Sequence, residues 1–345
     1  MNVLSLFDGI SCGQVALERA GIKVDKYYAS EIDKTAIRTT QHNFPNTVQL
    51  GDVLELSGEN LPKIDLLIGG SPCQGFSFSA NKAQSKKQEH EQAQSKEESS
   101  LPPRLNLEDP RSKLFFEFVR LLEKLKPKYF LLENVKMKQE YQDIISGLLG
   151  VKPVLLDSKN FSAQSRQRLY WTNIPFDHSV AKDDNVGTVL RDIMEPYHGE
   201  REMDNKEVLD KLIPLLESSR YKFRYGELDA DGEDNSFCWR RDTQGRILVM
   251  RPDKLKIQRI GRIGEGRHKS EIITVSSHPH VFDGKDIRKV TPLEAERLQT
   301  VPDNYTNIEG NTTGMRYKML GNGWTVDVIA HIFNGIKNNN KEKQS

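Results

Sequence analysis

Cysteine is scarce in this chain, and its placement narrows the options first. The 345 residues hold three, Cys12, Cys73 and Cys238, an odd number spread far apart. That spacing builds neither a disulfide framework nor a zinc cluster, and it fits a reducing cytoplasm. No apolar run nears the ~18 residues that cross a bilayer, so no membrane partner is expected. Val3-Leu4-Ser5-Leu6-Phe7 reads as a strand at once, which leaves no expected signal peptide. Neither sign of charge dominates: 50 Lys and Arg face 49 Asp and Glu, a net charge of +1, so any electrostatic specialisation has to be local. The length suggests about two domains.

What the chain does have is a concentration of signals around Gly69-Gly70-Ser71-Pro72-Cys73-Gln74-Gly75-Phe76-Ser77. Asp65 to Gly69 reads as a short buried strand, punctuated by two glycines. A proline then fixes the backbone and one cysteine follows. Open α/β sheets place their chemistry where strands give way to loops. A thiol there becomes a nucleophile if its pKa is lowered or its proton taken. A lone Pro-Cys pair is more often a small buried cysteine in a tight turn. The rest of the chain reverses that preference.

Val3 to Phe7 ends in Asp8-Gly9-Ile10-Ser11-Cys12-Gly13, then Gln14 to Ala20 predicts a helix with Gly21 after it. Strand, glycine turn and helix let backbone N–H groups approach a ligand. A second strand, Lys26 to Glu31, ends in a carboxylate about 20 residues on, where a nucleotide-binding βαβ unit holds ribose hydroxyls. A third acid, Asp52, follows Gln49-Leu50-Gly51. Each acid alone also reads as a solvated loop residue. In series, Asp8, Glu31 and Asp52 point to an adenosine-type pocket.

Ser79 to Ser100 holds no aliphatic residue larger than alanine, with four Lys, four Glu and four Gln. Such a segment cannot bury enough apolar surface to offset its ordering entropy, so a polar surface insertion is expected over 79–108. Asp109-Pro110 opens a helix as N-cap and first residue. Leu114, Phe115, Phe118, Leu121, Leu122 and Leu125 form its buried stripe. Tyr129 to Glu133 is the next strand, Gln139 to Leu149 a helix and Pro153 to Asp157 a strand. Gln164-Ser165-Arg166-Gln167-Arg168 follows, with two arginines that share a side if the segment is extended. The alternation predicts a doubly wound, mostly parallel sheet over residues 1–175.

From 176 to 285 that regularity fades, and a second, smaller and irregular domain is expected. Its residues 240–269 hold ten Lys or Arg against three Asp or Glu, the footprint of a nucleic-acid surface. Order returns from 286: Thr291 to Leu298 is helical, and Leu320-Gly321-Asn322-Gly323-Trp324-Thr325-Val326 precedes a helix to about Gly335. Residues 338–345 read as a disordered polar tail.

In this order the motifs resemble those of the DNA cytosine-5 methyltransferases. Phe7 to Gly13 is similar to that family's first methyl-donor motif and Pro72-Cys73-Gln74 to its nucleophile motif. Glu133-Asn134-Val135 is similar to its glutamate motif, and Gln164 to Arg168 to its paired-arginine motif. Arg288 to Leu298 resembles the helix bracing the recognition domain, and Gly321-Asn322-Gly323 the final motif. The likeness covers residues 1–175 and 286–335 and is mostly to compact bacterial or phage enzymes. Leu114 to Leu122 and Trp324-Thr325-Val326 lean toward the branch with the animal de novo methyltransferases. The polar segment after Cys73 departs from the family, whose mobile lid there is shorter by about twenty residues.

The resemblance implies a Rossmann-like fold that uses S-adenosylmethionine and no metal. It implies residues 1–175 as the catalytic and donor-binding domain, 176–285 as target-recognition domain and 286–337 as a return segment completing the first. Cys73 is then the thiolate that adds to carbon 6 of cytosine, and Glu133 brings a proton to ring nitrogen 3. Arg168 holds the base's carbonyl oxygen, and Arg166 supports the thiol or a phosphate. On the donor side Phe7 lies against the adenine, with Asp8, Gly9, Ile10, Ser11 and Cys12 near the methionine moiety. Glu31 and Ile32 take the ribose end, Asp52 the adenine amine, and Val53 and Pro72 pack beside. Asn322, Gly323 and Trp324 close the methionine end. Gln74, Ser77, Arg251, Lys254, Lys256 and Arg259 are the expected DNA contacts, and the lid spans Gly75 through Asn106.

The implied partner is double-stranded DNA, from which the target base must be flipped out. A monomer in the cytoplasm of a bacterial or phage-infected cell is expected, within a restriction–modification system with a cognate endonuclease or as phage or orphan modification. Two alternatives stand beside it. One is methylation of a cytosine in transfer RNA; the other is a catalytically silent DNA-binding relative, against which intact Cys73, Glu133 and Arg168 argue.

Overall fold

The computed structural model describes residues 1–71, 110–182, 188, 190–193, 195, 238–241, 247–250, 257–259, 262–263, 280–282 and 287–342. For residues 110–112, 181–182, 190–191, 338–342 and those between 238 and 289, only the backbone is described. The chain divides into two compact units. The first is Met1–Leu156, Gln167–Ala181 and Ile329–Ser345; the second is Asp157–Arg166 and Lys182–Val328.

The first unit is built on β1 (Asn2–Leu6), β2 (Lys26–Ser30), β3 (Val48–Gln49), β4 (Leu66–Gly70), β5 (Tyr129–Val135), β6 (Val154–Asp157) and β7 (Gln167–Thr172). Their order is β3-β2-β1-β4-β5-β7-β6. β1 to β5 are parallel, and β7 runs antiparallel to β5. The chain winds outward from β1 to β3 and then returns to lay β4 on the other side of β1. The direction of winding therefore reverses beside β1, and ligands of open α/β sheets bind at the carboxyl ends of such strands.

Helices α1 (Cys12–Arg19), α2 (Lys34–Asn43), α3 (Pro110–Leu125) and α4 (Gln139–Leu149) connect the strands. The sequence marks their ends. Asp33 caps α2 by accepting from the N–H groups of Thr35 and Ala36. Gly21 and Gly150, at φ +62° and +71°, close α1 and α4 in the left-handed conformation that glycine adopts without strain. The expected stripe of α3 is real: Phe115, Phe118 and Leu121 are fully buried against Leu4, Leu6, Leu67, Phe130 and Leu132. Each such side chain contributes about 1.5–3 kcal/mol on burial. The alternate residues Val3, Ile68 and Leu131 are buried as completely. Both faces of the sheet are covered, so these strands read as continuous apolar runs.

Gly69 and Gly70 are the last two residues of β4, as their dipeptide signal suggests. A Cβ on Gly69 would sit 3.0 Å from the Phe118 ring and 3.3 Å from the Leu6 carbonyl oxygen. Close approach of a helix to the sheet is what that glycine provides. The last helix, α8 (Val326–Glu342), runs past Gly335 and into the expected tail. Gly335 is a packing contact rather than a stop: its Cβ would fall 1.8 Å from the carbonyl oxygen of Pro175. Once Ile332, Phe333 and Ile336 are buried, extending the helix through polar residues adds one hydrogen bond per residue fixed.

The second unit contains β8 (Cys238–Arg241), β9 (Ile247–Met250), β10 (Ile257–Arg259), β11 (Arg262–Ile263), β12 (His280–Phe282) and β13 (Ile287–Lys289), ordered β11-β10-β9-β8-β12-β13. All pairings among these described strands are antiparallel, so within the expected irregular domain they form one sheet. Strands of two to four residues are too short to show a period in sequence. The unit also holds α5 (Leu190–Ile193), α6 (Pro292–Leu298) and α7 (Thr313–Asn322). Thr291 and Glu294 form a capping box at the start of α6. α7 carries no amphipathic stripe to announce it. Among the described residues, no helix is long and apolar enough to cross a membrane.

Candidate active site

In the first unit the strand ends assemble two groups of polar side chains. One is the turn after β1. Its backbone takes positive φ at Phe7 (+57°), Gly9 (+60°) and Ser11 (+57°). A bulky residue at positive φ costs about 1–3 kcal/mol and persists only where its surroundings impose it. The Asp8 N–H donates to the Ser30 carbonyl at 3.2 Å and the Gly9 N–H to Oε2 of Glu31 at 2.7 Å. Thr40 Oγ1 donates to Ser11 Oγ at 3.2 Å. Asp8 itself accepts from the Tyr27 hydroxyl at 2.8 Å and from the Ser11 hydroxyl. Burial pushes the Asp8 carboxyl up to about 6; the nearby Glu31 charge adds to this, and the hydroxyl bonds oppose it. Asp8 therefore points into the turn's own scaffold.

Glu31 is held by three backbone donors: Gly9 on Oε2, and Ile32 and Asp33, each at 2.8 Å, on Oε1. It ties the turn after β1 to the end of β2. Beside it Ile32 is 70% exposed, an apolar surface next to an oriented carboxylate. Asp52 caps a short 3-10 turn through the Leu54 N–H at 3.0 Å. Val53, expected beside the ligand, lies in the core, and the exposed apolar side chain at this strand end is Leu54. Leu54 was missed because the alternation that sets its direction belongs to the 3-10 turn, which the sequence did not mark. Ile10 and Cys12 are buried under the turn. Phe7 packs on the core containing Leu4 and Leu6.

The second group lies at the ends of β4, β5 and β7. Gly70 is opposite Glu133 in the β4–β5 register. Oε1 of Glu133 meets Nε of Arg168 at 2.8 Å, with side chains only 11% and 12% exposed. Arg168 also donates from Nη1 to the Gln167 carbonyl at 2.8 Å. A guanidinium has five N–H donors, so this geometry leaves capacity for a ligand's carbonyl oxygen. Asn134, whose part in the site was not anticipated, donates to Ser71 Oγ at 3.2 Å and fastens the end of β4 to β5. Ser71 is two residues before Cys73 in the sequence. Cys73 itself, Pro72, Gln74, Ser77, Arg251, Lys254 and Lys256 lie outside the described residues, as do the 79–108 insertion and Asp109; Arg259 is described only as backbone in β10.

The two arginines expected on one side have separate partners. Arg166 belongs to the second unit and is 6% exposed. Its Nη2 donates to the carbonyl oxygens of Gly321 at 3.3 Å and Gly323 at 3.1 Å. In that unit Asn322 ends α7 and Gly323 is its C-cap, with Trp324 next. The buried Gln299 also bonds this turn, and sequence reasoning missed it because a glutamine after a helix reads as a surface residue.

Comparison with known proteins places these observations. The model of the C-5 cytosine-specific DNA methylase family matches residues 1–338. The chain is 27% identical to the Type II methyltransferase M.FnuDI of Fusobacterium nucleatum, an alignment covering 100% of this chain and 96% of that one. It is 26% identical to the orphan methyltransferase M.SPBetaI of Bacillus phage SPbeta, covering 100% and 99%. A third match, 29% identical to the orphan methyltransferase M.Rho11sI of Bacillus phage rho11s, covers 64% of this chain and about half (49%) of that enzyme. In fold it is similar to the Entamoeba histolytica methyltransferase EhMeth (TM-score 0.57, 18% identity, 98% of each chain covered). It is also similar to the S. pombe Dnmt2 methyltransferase (TM-score 0.54, 17% identity, 99% of each). The chain belongs to the C-5 cytosine-specific DNA methylase family.

Proposed function

We propose that this protein transfers a methyl group from S-adenosylmethionine to carbon 5 of a cytosine flipped out of a short duplex DNA sequence, through a covalent adduct of Cys73. The observation that carries the reading is the nearly buried Glu133–Arg168 pair, opposite the strand end that leads to Cys73. Carbon 5 of cytosine is too weak a nucleophile for the reaction unaided. Addition of the Cys73 thiolate at carbon 6 makes the ring an enamine, which divides one hard step into easier ones. Glu133 brings a proton to ring nitrogen 3 as charge develops there, and Arg168 holds the ring's carbonyl oxygen. Carbon 5 then bonds to the donor's methyl carbon as the methyl–sulfur bond breaks, its electron pair going to sulfur and leaving the neutral thioether S-adenosylhomocysteine. Loss of the carbon-5 proton to a base, expulsion of the thiolate from carbon 6 and return of the nitrogen-3 proton to Glu133 restore the aromatic ring and the enzyme.

When bound, S-adenosylmethionine supplies an electrophilic methyl on a sulfonium. The residues present suit such a nucleoside. Glu31 offers an oriented carboxylate for ribose hydroxyls, Asp52 one for an exocyclic amine, and Ile32 and Leu54 exposed apolar surface for a flat ring. Phe7, the Gly9–Cys12 turn and Pro72 complete the donor's first side in this reading, and Asn322, Gly323 and Trp324 receive its methionine end.

Residues 176–285 read the target, and the antiparallel sheet carrying Arg240, Arg241, Arg259 and Arg262 supports this. Arg251, Lys254, Lys256 and Arg259 contact phosphates, while Gln74 and Ser77 approach the base's gap. The protein acts as a monomer in the cytoplasm of a bacterial or phage-infected cell, as an orphan or phage modification enzyme or beside a cognate endonuclease. The test is base-resolution mapping of 5-methylcytosine in a methylation-free host, with Cys73→Ser as control. Methylation at one short motif, absent in the variant, is expected. An unmethylated genome with soluble protein overturns the reading in favour of transfer RNA or a silent relative.

A further inference from the structure

The end of α7 poses a problem that its own sequence does not solve. A helix leaves its last carbonyl groups without intrahelical donors, and the partial negative charge of its C-terminus favours a cation. α7 has no basic side chain in its last turn. Two side chains from elsewhere in the same unit supply what is missing. Gln299, fully buried, donates from Nε2 to the carbonyl oxygens of Leu320 at 2.7 Å and Gly323 at 3.4 Å. Arg166 donates to those of Gly321 and Gly323. Three acceptors around Asn322, on Leu320, Gly321 and Gly323, are thus capped by side chains from outside the helix.

Both donors are themselves fixed. Gln299 Oε1 accepts from Thr325 Oγ1 at 2.9 Å and from Gln164 Nε2 at 3.3 Å. The Arg166 N–H donates to Oδ1 of Asp157 at 2.9 Å, and its carbonyl accepts from the Ser158 N–H at 3.2 Å. Ser162 Oγ and Gln164 Nε2 both donate to the Leu298 carbonyl. The main chain of Gln299 adds a last bond, accepting from the Val326 N–H at 3.0 Å where α8 begins. A buried amide used at every atom, on a short turn, fixes geometry more than it adds stability.

We propose that Gln299 and Arg166 are positioning residues for the methyl donor: by capping the end of α7 they hold the Gly321–Trp324 turn in the shape that receives the donor's methionine end. The inference rests on the donor reading above and departs from it for Arg166, whose effect then runs through the donor rather than through the thiol or a phosphate.

The test is calorimetric titration of S-adenosylhomocysteine into the full-length protein without DNA, followed by steady-state kinetics. Gln299→Glu removes the amide donors while keeping shape, and the donor Kd is expected to rise about tenfold. Thr325→Val releases Oε1 of Gln299, with an expected rise of about threefold. The KM for DNA is expected to stay within about twofold in both, since phosphate contacts lie elsewhere. Arg166→Lys, which cannot fork across two carbonyls, should behave like Gln299→Glu. Donor affinity unchanged in the Gln299 and Thr325 variants, with only the unfolding midpoint lowered, overturns the proposal. A raised KM for DNA with unchanged donor Kd in Arg166→Lys returns that residue to the DNA and overturns its part. Should Gln299→Glu fail to fold, the milder Thr325→Val decides. A wild type that binds no donor overturns the donor reading itself, whereas a wild type that binds, with variants that match it, overturns this inference alone.

Discussion

Buried glutamates occur in both units, and they are used in opposite ways. In the first, Glu133 near the end of β5 is paired with Arg168, opposite the end of β4, from which the chain runs on to Cys73. In the second, Glu294 and Glu296 on α6 are fully buried, and loop donors surround them. Glu294 accepts from the N–H groups of Thr291 and Glu195. Glu296 accepts from the N–H groups of Asn304 and Thr306, the Thr306 hydroxyl and Arg316. A fully buried carboxylate ringed by the donors of one loop organises that loop. A carboxylate at the strand ends of an open α/β sheet stands where such sheets bind their ligands. Burial alone does not mark a site; the place in the fold does.

The largest expected effect would break that contrast if it failed. Glu133→Gln keeps the shape and one acceptor for Arg168 but cannot give up a proton. Methyl transfer per folded molecule should fall about 10²–10⁴-fold, the range for a lost general acid, and the weakened pair with Arg168 should lower the melting temperature as well. Single-turnover methyl incorporation beside a melting curve checks both. An active Glu133→Gln enzyme would remove the proton-donor role.

Glu296→Gln should cost stability and spare turnover. It leaves Arg316 facing a neutral amide in a buried place and presents an NH2 to the donors of the 304–306 loop. A loss of about 3 kcal/mol is expected from breaking such a pair, read as a lower denaturant midpoint with donor-saturated turnover per folded molecule unchanged. If turnover falls while stability holds, α6 belongs to the site and the contrast between the units fails. Gly335→Ala is a purely packing counterpart in the first unit. The added methyl meets the Pro175 carbonyl oxygen at 1.8 Å, and overpacking should cost about 2 kcal/mol in the same measurement.

How much of this was legible in the sequence follows from how local each cause is. The parallel strands, the stripe of α3 and the glycine closing α1 depend on neighbours in sequence, and they were readable. The strand-end acids were readable as a series and Glu133 and Arg168 singly through the resemblance, but not their pairing, because the two meet across a β5–β7 register that no local pattern reveals. α7 was invisible because its last turn is capped from Gln299 and Arg166, far away in the chain. Gly335 misled: in a helix it signals a stop, whereas here, as at Gly69, it lets another element come close.

Asp8 gives the smallest effect and the sharpest test of the same distinction, since it is a buried acid whose side chain serves its own turn. Its folded pKa of about 6 lies above the ordinary 3.8, so the folded form holds the proton more tightly than the unfolded chain. The stability this group contributes is fully present below pH 3.8 and is lost as the pH rises through 6. The gap corresponds to at most about 3 kcal/mol, and water reaching the turn will lower it. Asp8→Asn does not titrate. The difference in melting temperature, variant minus wild type, should therefore climb by about 3 °C between pH 4 and pH 7 and stay level above that. The Tyr27 and Ser11 hydroxyls set the sign of the offset, because they donate to a carboxylate and one of them must turn to accept from an amide. The slope depends only on the titration. A difference that is flat across this range would mean that the charge of Asp8 is solvated, leaving Glu31 to hold the Gly9 turn without a buried acid beside it.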